Sequence, residues 1–203
     1  MNLTTAASPA VAPRTRTSLW LRNTSLAISG SILVAIAAHI SVPLFFTPVP
    51  FTLQTLAVLG ISLAFGPSLA CSAMILYLLE GVAGLPVFSP IGAGGAIHLF
   101  GPTGGYLMSY PLAAFAAGWL YRRARHSRFL SNFAAAIAAA AIGDIIILAS
   151  GAAWLAILTH LAPAKITMLA VLPFLPGDVL KIITAAAIVT GIARVRQNHS
   201  AAE

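Results

Sequence analysis

Charge is what this sequence has least of. Four acidic and eleven basic residues in 203 leave 7% of positions charged, where an ordinary soluble domain carries about a quarter. With 59% hydrophobic residues, a chain of this length could not hide its apolar surface from water, so a soluble globular domain is excluded and lipid is its solvent. Cysteine is almost as scarce. Cys71 stands alone, which excludes an intrachain disulfide and a multi-cysteine metal centre; it sits in an apolar run as a small packing residue. No G-x-S-x-G, H-E-x-x-H or Walker A pattern occurs. The usual hydrolase, metalloprotease and nucleotide-binding signatures are therefore missing, and any ATP-driven work falls to another polypeptide.

What is present is a succession of apolar runs. A spanning helix needs about 20 apolar residues, and six segments can be read, over 26–42, 52–65, 68–84, 104–121, 130–151 and 177–194. The expectation is an all-α membrane protein with six transmembrane helices in a compact bundle. Residues 1–25 read as a disordered tail, 26–196 as one transmembrane substrate-binding domain and 197–203 as a C-terminal tail. The apolar stretch after Arg22 leads into another membrane segment, so it reads as a retained span and not as a cleaved signal peptide.

The net charge of +7 follows topology and does not point to nucleic acid. Its arginines fall in three places: Arg14, Arg16 and Arg22; Arg122, Arg123, Arg125 and Arg128; Arg194 and Arg196. With an even number of spans all three lie on one side, and an excess of Lys and Arg marks the cytoplasmic side. Both termini are expected there. The outward connections, over 39–51, 85–103 and 160–176, are apolar and dense in Pro or Gly. A solvated linker would be polar, so these read as lids packed over something.

Acids within a membrane are costly and mark functional sites by default. Glu80, Asp144 and Asp178 are all placed towards the outward level. Asp178 and Lys181 share a helix face at i, i+3, in Pro176-Gly-Asp-Val-Leu-Lys181. The bland reading is an N-cap with an ion pair. The functional one makes Lys181 an anchor for a substrate carboxylate, with Asp178 accepting from substrate N–H groups. In Gly101-Pro-Thr-Gly-Gly-Tyr106, Gly104 and Gly105 could let backbone approach a ligand closely, and Thr103 and Tyr106 add hydroxyls. Gln54 could pair with a polar ring and Phe51 could cover an apolar one. Trp119 and Trp154 are read as interface aromatics, and His39 and His98 lack metal-ligand spacing. Ala27, Ser31 and Ala35 form a small-residue stripe that permits close helix contact, with a partner protein or within the chain.

In order and spacing, Val49-Pro-Phe-Thr-Leu-Gln54, Gly84-Leu-Pro-Val-Phe88, Gly101-Pro-Thr-Gly-Gly-Tyr106 and Leu175-Pro-Gly-Asp-Val-Leu-Lys181 resemble the BioY family, the biotin-binding S components of energy-coupling factor transporters. The resemblance covers nearly the whole chain after residue 25. It implies six spans, biotin held near the outer face under the first outward loop, and contact of biotin with Asp178 and Lys181. It implies a place in the bacterial inner membrane among lipid, a transmembrane coupling protein and two ATP-binding subunits as partners, and no cofactor besides the transported biotin. The stripe at Ala27, Ser31 and Ala35 would then be a docking face. Biotin's chemistry suits the candidates: Asp178 or Asp144, with Gln54, for the ureido group, Lys181 for the carboxylate, and Phe51 and Phe88 for the ring and chain. The alternatives are an S component for another vitamin and, from a different class, a membrane enzyme or assembly factor acting on lipid. A channel would need a polar pore stripe, which no segment has.

Overall fold

The computed structural model describes residues 16–92, 94–125 and 130–202; Arg14 and Arg128 lie outside this range. Helix α1 (Arg16–His39) leads into a small antiparallel ribbon, β1 (Ser41–Val42) with β2 (Phe51–Thr52), in which Val42 faces Phe51 and Ser41 faces Thr52. Then come α2 (Gln54–Phe65), α3 (Pro67–Val82), a single turn α4 (Ile97–Phe100), α5 (Gly104–Ala124), α6 (Asn132–Thr159), α7 (Pro163–Ala170) and α8 (Leu175–Ala202).

Three of these helices are long and apolar enough to cross a membrane: Thr17–His39, Asn132–Thr159 and Leu175–His199. The other candidates are shorter or more polar. α2 has 12 residues, about 18 Å at 1.5 Å per residue, because Pro48 and Pro50 hold the chain extended before it and Gly66, at φ 80°, ends it. Pro67 then starts α3 at the first position, where no N–H is needed.

The ends of the long helices differ from the sequence expectation. α1 begins at Arg16, so residues 16–25 are helical and not part of a disordered tail; residues 1–15 lie outside the described range. α8 runs through Arg194 to Ala202, so 197–202 extend the helix. The α8 extension is polar, and the α1 extension mixes Leu19, Trp20 and Leu21 with Arg, Asn, Thr and Ser, so neither reads from sequence as a continuous apolar run. The third connection folds as α7, opened by Pro163.

Two apolar clusters hold the bundle. One joins α2, α3, α5, α6 and α7 through Val58, Met74, Tyr77, Leu107, Tyr110, Ile147 and Ile166, with Phe174 of the turn before α8. The other, towards the arginine-bearing end, is made largely of alanine: Ala135, Ala136, Ala139 and Ala140 of α6 meet Ala185 and Ala186 of α8. Small side chains let helix axes approach closely where lipid supplies no hydrophobic drive. Arg22, Arg122, Arg125 and Arg196 line one common cavity, so the N-terminus of α1 and the C-termini of α5 and α8 meet at the same end.

The small-residue stripe of α1 faces inwards. Ser31 is fully buried and its hydroxyl donates to Glu80 of α3 at 3.0 Å; Ala27 and Ala35 pack on the core. An added Cβ on neighbouring Gly30 would stand 3.0 Å from Ala73. Of the two readings of Ala27, Ser31 and Ala35, contact within the chain is the one seen: Ser31 meets α3, whose Glu80 supplies the acceptor that a polar residue in lipid needs.

Candidate functional site

A cavity opens beneath the three connections, between α2, α5, α6 and α8. Its wall includes Thr52, Gln54, Thr103, Tyr106, Tyr110, Asp144, Asp178 and Lys181, with Val49, Pro50, Ile147 and Phe174 as apolar surface.

The charged wall comes from two helices. On α8, Pro176 and Gly177 lie in the first turn, and the N–H of Asp178 donates to Phe174 O at 2.8 Å. Asp178 is thus inside the helix and not its N-cap. That frees its carboxylate to face Lys181 one turn on: Nζ donates to Oδ1 at 2.9 Å, with both residues buried. The ring of Phe51 lies over the ammonium, 4.1 Å from centroid to Nζ, and stacks on Phe174. Any side chain at Gly177 would collide with that ring, so the glycine of the motif is required by the aromatic packed on it.

Asp144 projects from α6, where Gly143 lets Leu59 and Ala117 pack close beside it. It is buried, lines the cavity, and its Oδ1 has no hydrogen-bond partner among the described residues. A buried acceptor left so costs about 1–3 kcal/mol, more when charged.

Gln54 is held from several directions. Its Nε2 donates to Tyr77 Oη at 2.7 Å, and Tyr77 donates onward to Val87 O at 3.1 Å. Its Oε1 accepts from Tyr110 Oη and from Thr52 Oγ1, both at 3.2 Å. The amide therefore enters the cavity with one orientation, set by hydroxyls from α3 and α5. Tyr106 also faces the cavity, and its hydroxyl donates to Ala170 O at 2.7 Å, tying α7 to α5.

Asp178, Lys181, Gln54, Tyr106, Thr103 and Asp144 thus share one wall, with Phe51 above it. The rest of the expected set lies elsewhere. Gly104 and Gly105 do not offer backbone to the cavity. A side chain at Gly104 would meet Leu99 O, and one at Gly105 would meet Trp154 and Ser150 O. They allow α5 and α6 to close on each other, and Trp154, donating to Gly101 O at 2.9 Å, is the residue they accommodate. Phe88 is a layer behind, edge-on to Tyr77 and stacked with His98. Glu80 faces α1. Tyr77, Tyr110, Thr52 and Ser89 are the contributors that sequence reading passed over, and His98, weighed there only as a metal ligand, joins them; the four-residue step from Tyr106 to Tyr110, which puts both on one face of α5, was the available signal.

Residues 8–198 match the model of the BioY family. Among curated proteins, the chain is 35% identical over 153 residues to a Pyrococcus horikoshii protein named probable biotin transporter BioY, covering 75% of this chain and 85% of that one. It is 37% identical over 156 residues to the biotin transporter BioY of Thermotoga maritima, covering 77% and 86%. Among solved structures, an S-component for biotin from an ECF-type ABC transporter superposes with a TM-score of 0.79 at 24% identity, over 90% of this chain and 95% of the other. That likeness establishes the fold.

Proposed function

The chain belongs to the BioY family of membrane transport proteins, and from that premise we propose that it captures biotin in the cavity under its loop-bearing end, as the substrate-specific subunit of an energy-coupling factor transporter. The observation that carries this reading is the pairing, in one buried cavity, of an ion pair at Asp178–Lys181 with an unpartnered carboxylate oxygen on Asp144. A ureido group offers N–H donors beside one carbonyl acceptor, which is the complement of that wall.

Charge decides the orientation. Asp144, Asp178 and Lys181 together carry one formal negative charge, and Lys181 is already matched by Asp178 at 2.9 Å. A substrate carboxylate placed there would meet two like charges for one unlike. The ureido end therefore sits against Asp144, Asp178 and Lys181, its N–H groups donating to the carboxylates and its carbonyl accepting from Lys181. This gives Lys181 a different role from the carboxylate anchor expected from sequence. Gln54, fixed by Tyr77 and Tyr110, supplies a second oriented polar edge. The thiophane ring lies against Phe51 and Phe174, and the carboxylate tail points to the mouth, where Ser89, His98 and Thr103 line the wall.

In this reading α1, α2, α3, α5, α6 and α8 are the six spans, with 26–196 as the substrate-binding domain. The meeting of Arg22, Arg122, Arg125 and Arg196 at one end supports placing both termini on the cytoplasmic side of the inner membrane. A transmembrane coupling protein and two ATP-binding subunits supply the energy.

Equilibrium titration of the purified chain tests the assignment. Biotin should bind one to one. A neutral analogue methylated on a ureido nitrogen should bind roughly tenfold to a hundredfold more weakly, as expected for a lost charged hydrogen bond, and biotin methyl ester should bind nearly as well as biotin. A larger loss for the ester than for the N-methyl analogue would reverse the orientation. No binding of biotin, with tight binding of another vitamin, would overturn the function.

A further inference from the structure

The arginine-bearing end holds a second cavity that biotin capture does not use. Arg22 of α1, Arg122 and Arg125 of α5 and Arg196 of α8 line it, and among the described residues no acidic side chain does. Arg122 is built into the fold. Its Nη2 donates to Phe65 O at 2.7 Å, closing the C-terminal end of α2, and its guanidinium occupies the space that a side chain on Gly66 would need.

This cavity continues into a groove along α2, walled by α1 on one side and α8 on the other. The two share Ala64, Phe65, Val189 and Ile192. The groove is lined only by Ala, Gly, Val, Leu, Ile and Phe. Its flanks, Ile36 of α1 and Ile188 and Ile192 of α8, are each more than half exposed, so it opens to the bilayer along its length. On its floor, a carbon added at Gly60 would meet nothing within 4 Å.

We propose that this continuous surface holds one anionic phospholipid, its phosphate among Arg22, Arg122, Arg125 and Arg196 and one acyl chain along α2 between α1 and α8. Guanidinium groups match phosphate oxygens through bidentate donors. A free phosphate would use the arginines and leave the slot empty, and a zwitterionic lipid would use the slot and gain less from the arginines. Only an anionic amphiphile uses both.

The test uses the full chain in neutral detergent and measures retention of phosphatidylglycerol and phosphatidylcholine of identical chains by native mass spectrometry. Phosphatidylglycerol should be retained in preference. Replacing Arg22, Arg125 and Arg196 together by Gln, with Arg122 kept because it caps α2, should remove that preference by roughly fivefold per arginine. Gly60→Leu should weaken both lipids alike and keep the preference. Unchanged biotin affinity in each variant shows that the fold is intact. Equal retention of the two lipids by the unaltered chain would overturn the proposal. So would displacement of phosphatidylglycerol by millimolar inorganic phosphate, which would mean that the headgroup binds alone.

Discussion

The two ends of the helix bundle are built on opposite rules. At the loop-bearing end, Gln54, Asp144, Asp178 and Lys181 are all buried, and tyrosines from α3 and α5 fill the space between them. At the arginine end the packing is alanine on alanine, and the charges stand exposed at the rim. One end keeps polar atoms from water and holds them in fixed positions; the other keeps mostly small apolar contacts inside, with Leu59, Leu63 and Tyr121 among the alanines. Buried charge weakens a bundle unless it is matched, so its concentration at one end marks where the chain sacrifices stability for recognition, and the plain end shows what the helices need merely to associate.

The contrast can be broken most sharply at Lys181. Lys181→Ala strands the Asp178 carboxylate, and removing one partner of a buried pair costs about 3–5 kcal/mol. Biotin binding should be lost and the thermal midpoint should fall; the double variant Asp178→Asn with Lys181→Met should regain stability without regaining binding, as read by a melting curve beside a titration. Asp144→Asn comes next. It removes the charge with no partner, so affinity should drop by roughly tenfold to a hundredfold, in line with a charged hydrogen bond, while the melting temperature holds or rises. At the plain end the signs separate the other way. A Cβ at Gly118 would stand 2.8 Å from the backbone of Gly66, Pro67 and Ser62, so Gly118→Ala should lower stability by about 1–3 kcal/mol and leave the affinity of the folded fraction unchanged. Tyr110→Phe should have the smallest effect. It removes one neutral donor to Gln54, worth about 1 kcal/mol, and should weaken biotin by roughly fivefold. If Gly118→Ala changed affinity as much as Tyr110→Phe, the two ends would not be separable.

Much of this was legible in the sequence. The scarcity of charge gave the class, and the i, i+3 step between Asp178 and Lys181 gave the ion pair, since both are local properties of the chain. The readings that needed correction depend on distant neighbours. Gly104 and Gly105 look the same in sequence whether they admit a ligand or Trp154, and only the approach of α6 decides. Ser31 could have faced a partner until Glu80, 49 residues on, was found opposite it. The orientation of Gln54 rests on Tyr77 and Tyr110, 23 and 56 residues away, and no short motif contains such a network. The start of α1 was missed because Arg22, Asn23, Thr24 and Ser25 interrupt the apolar run and hide that Leu19, Trp20 and Leu21 belong to the same helix.

The hydrogen bonds of the third connection have a bearing on how a solute gets in. Thr47 donates to Leu169 O at 2.7 Å and Tyr106 donates to Ala170 O at 2.7 Å, so the first and third connections are sewn together and stitched to α5. Those two can part from the bundle only as one flap. The second connection shares neither stitch, and its Gly92 and Gly95 have positive φ. Its ties run instead to the bundle wall, from Tyr77 to Val87 O and from Trp154 to Gly101 O, so the mouth is lopsided: two connections move as a joined pair, and the seam along which it can open lies between that pair and the second connection.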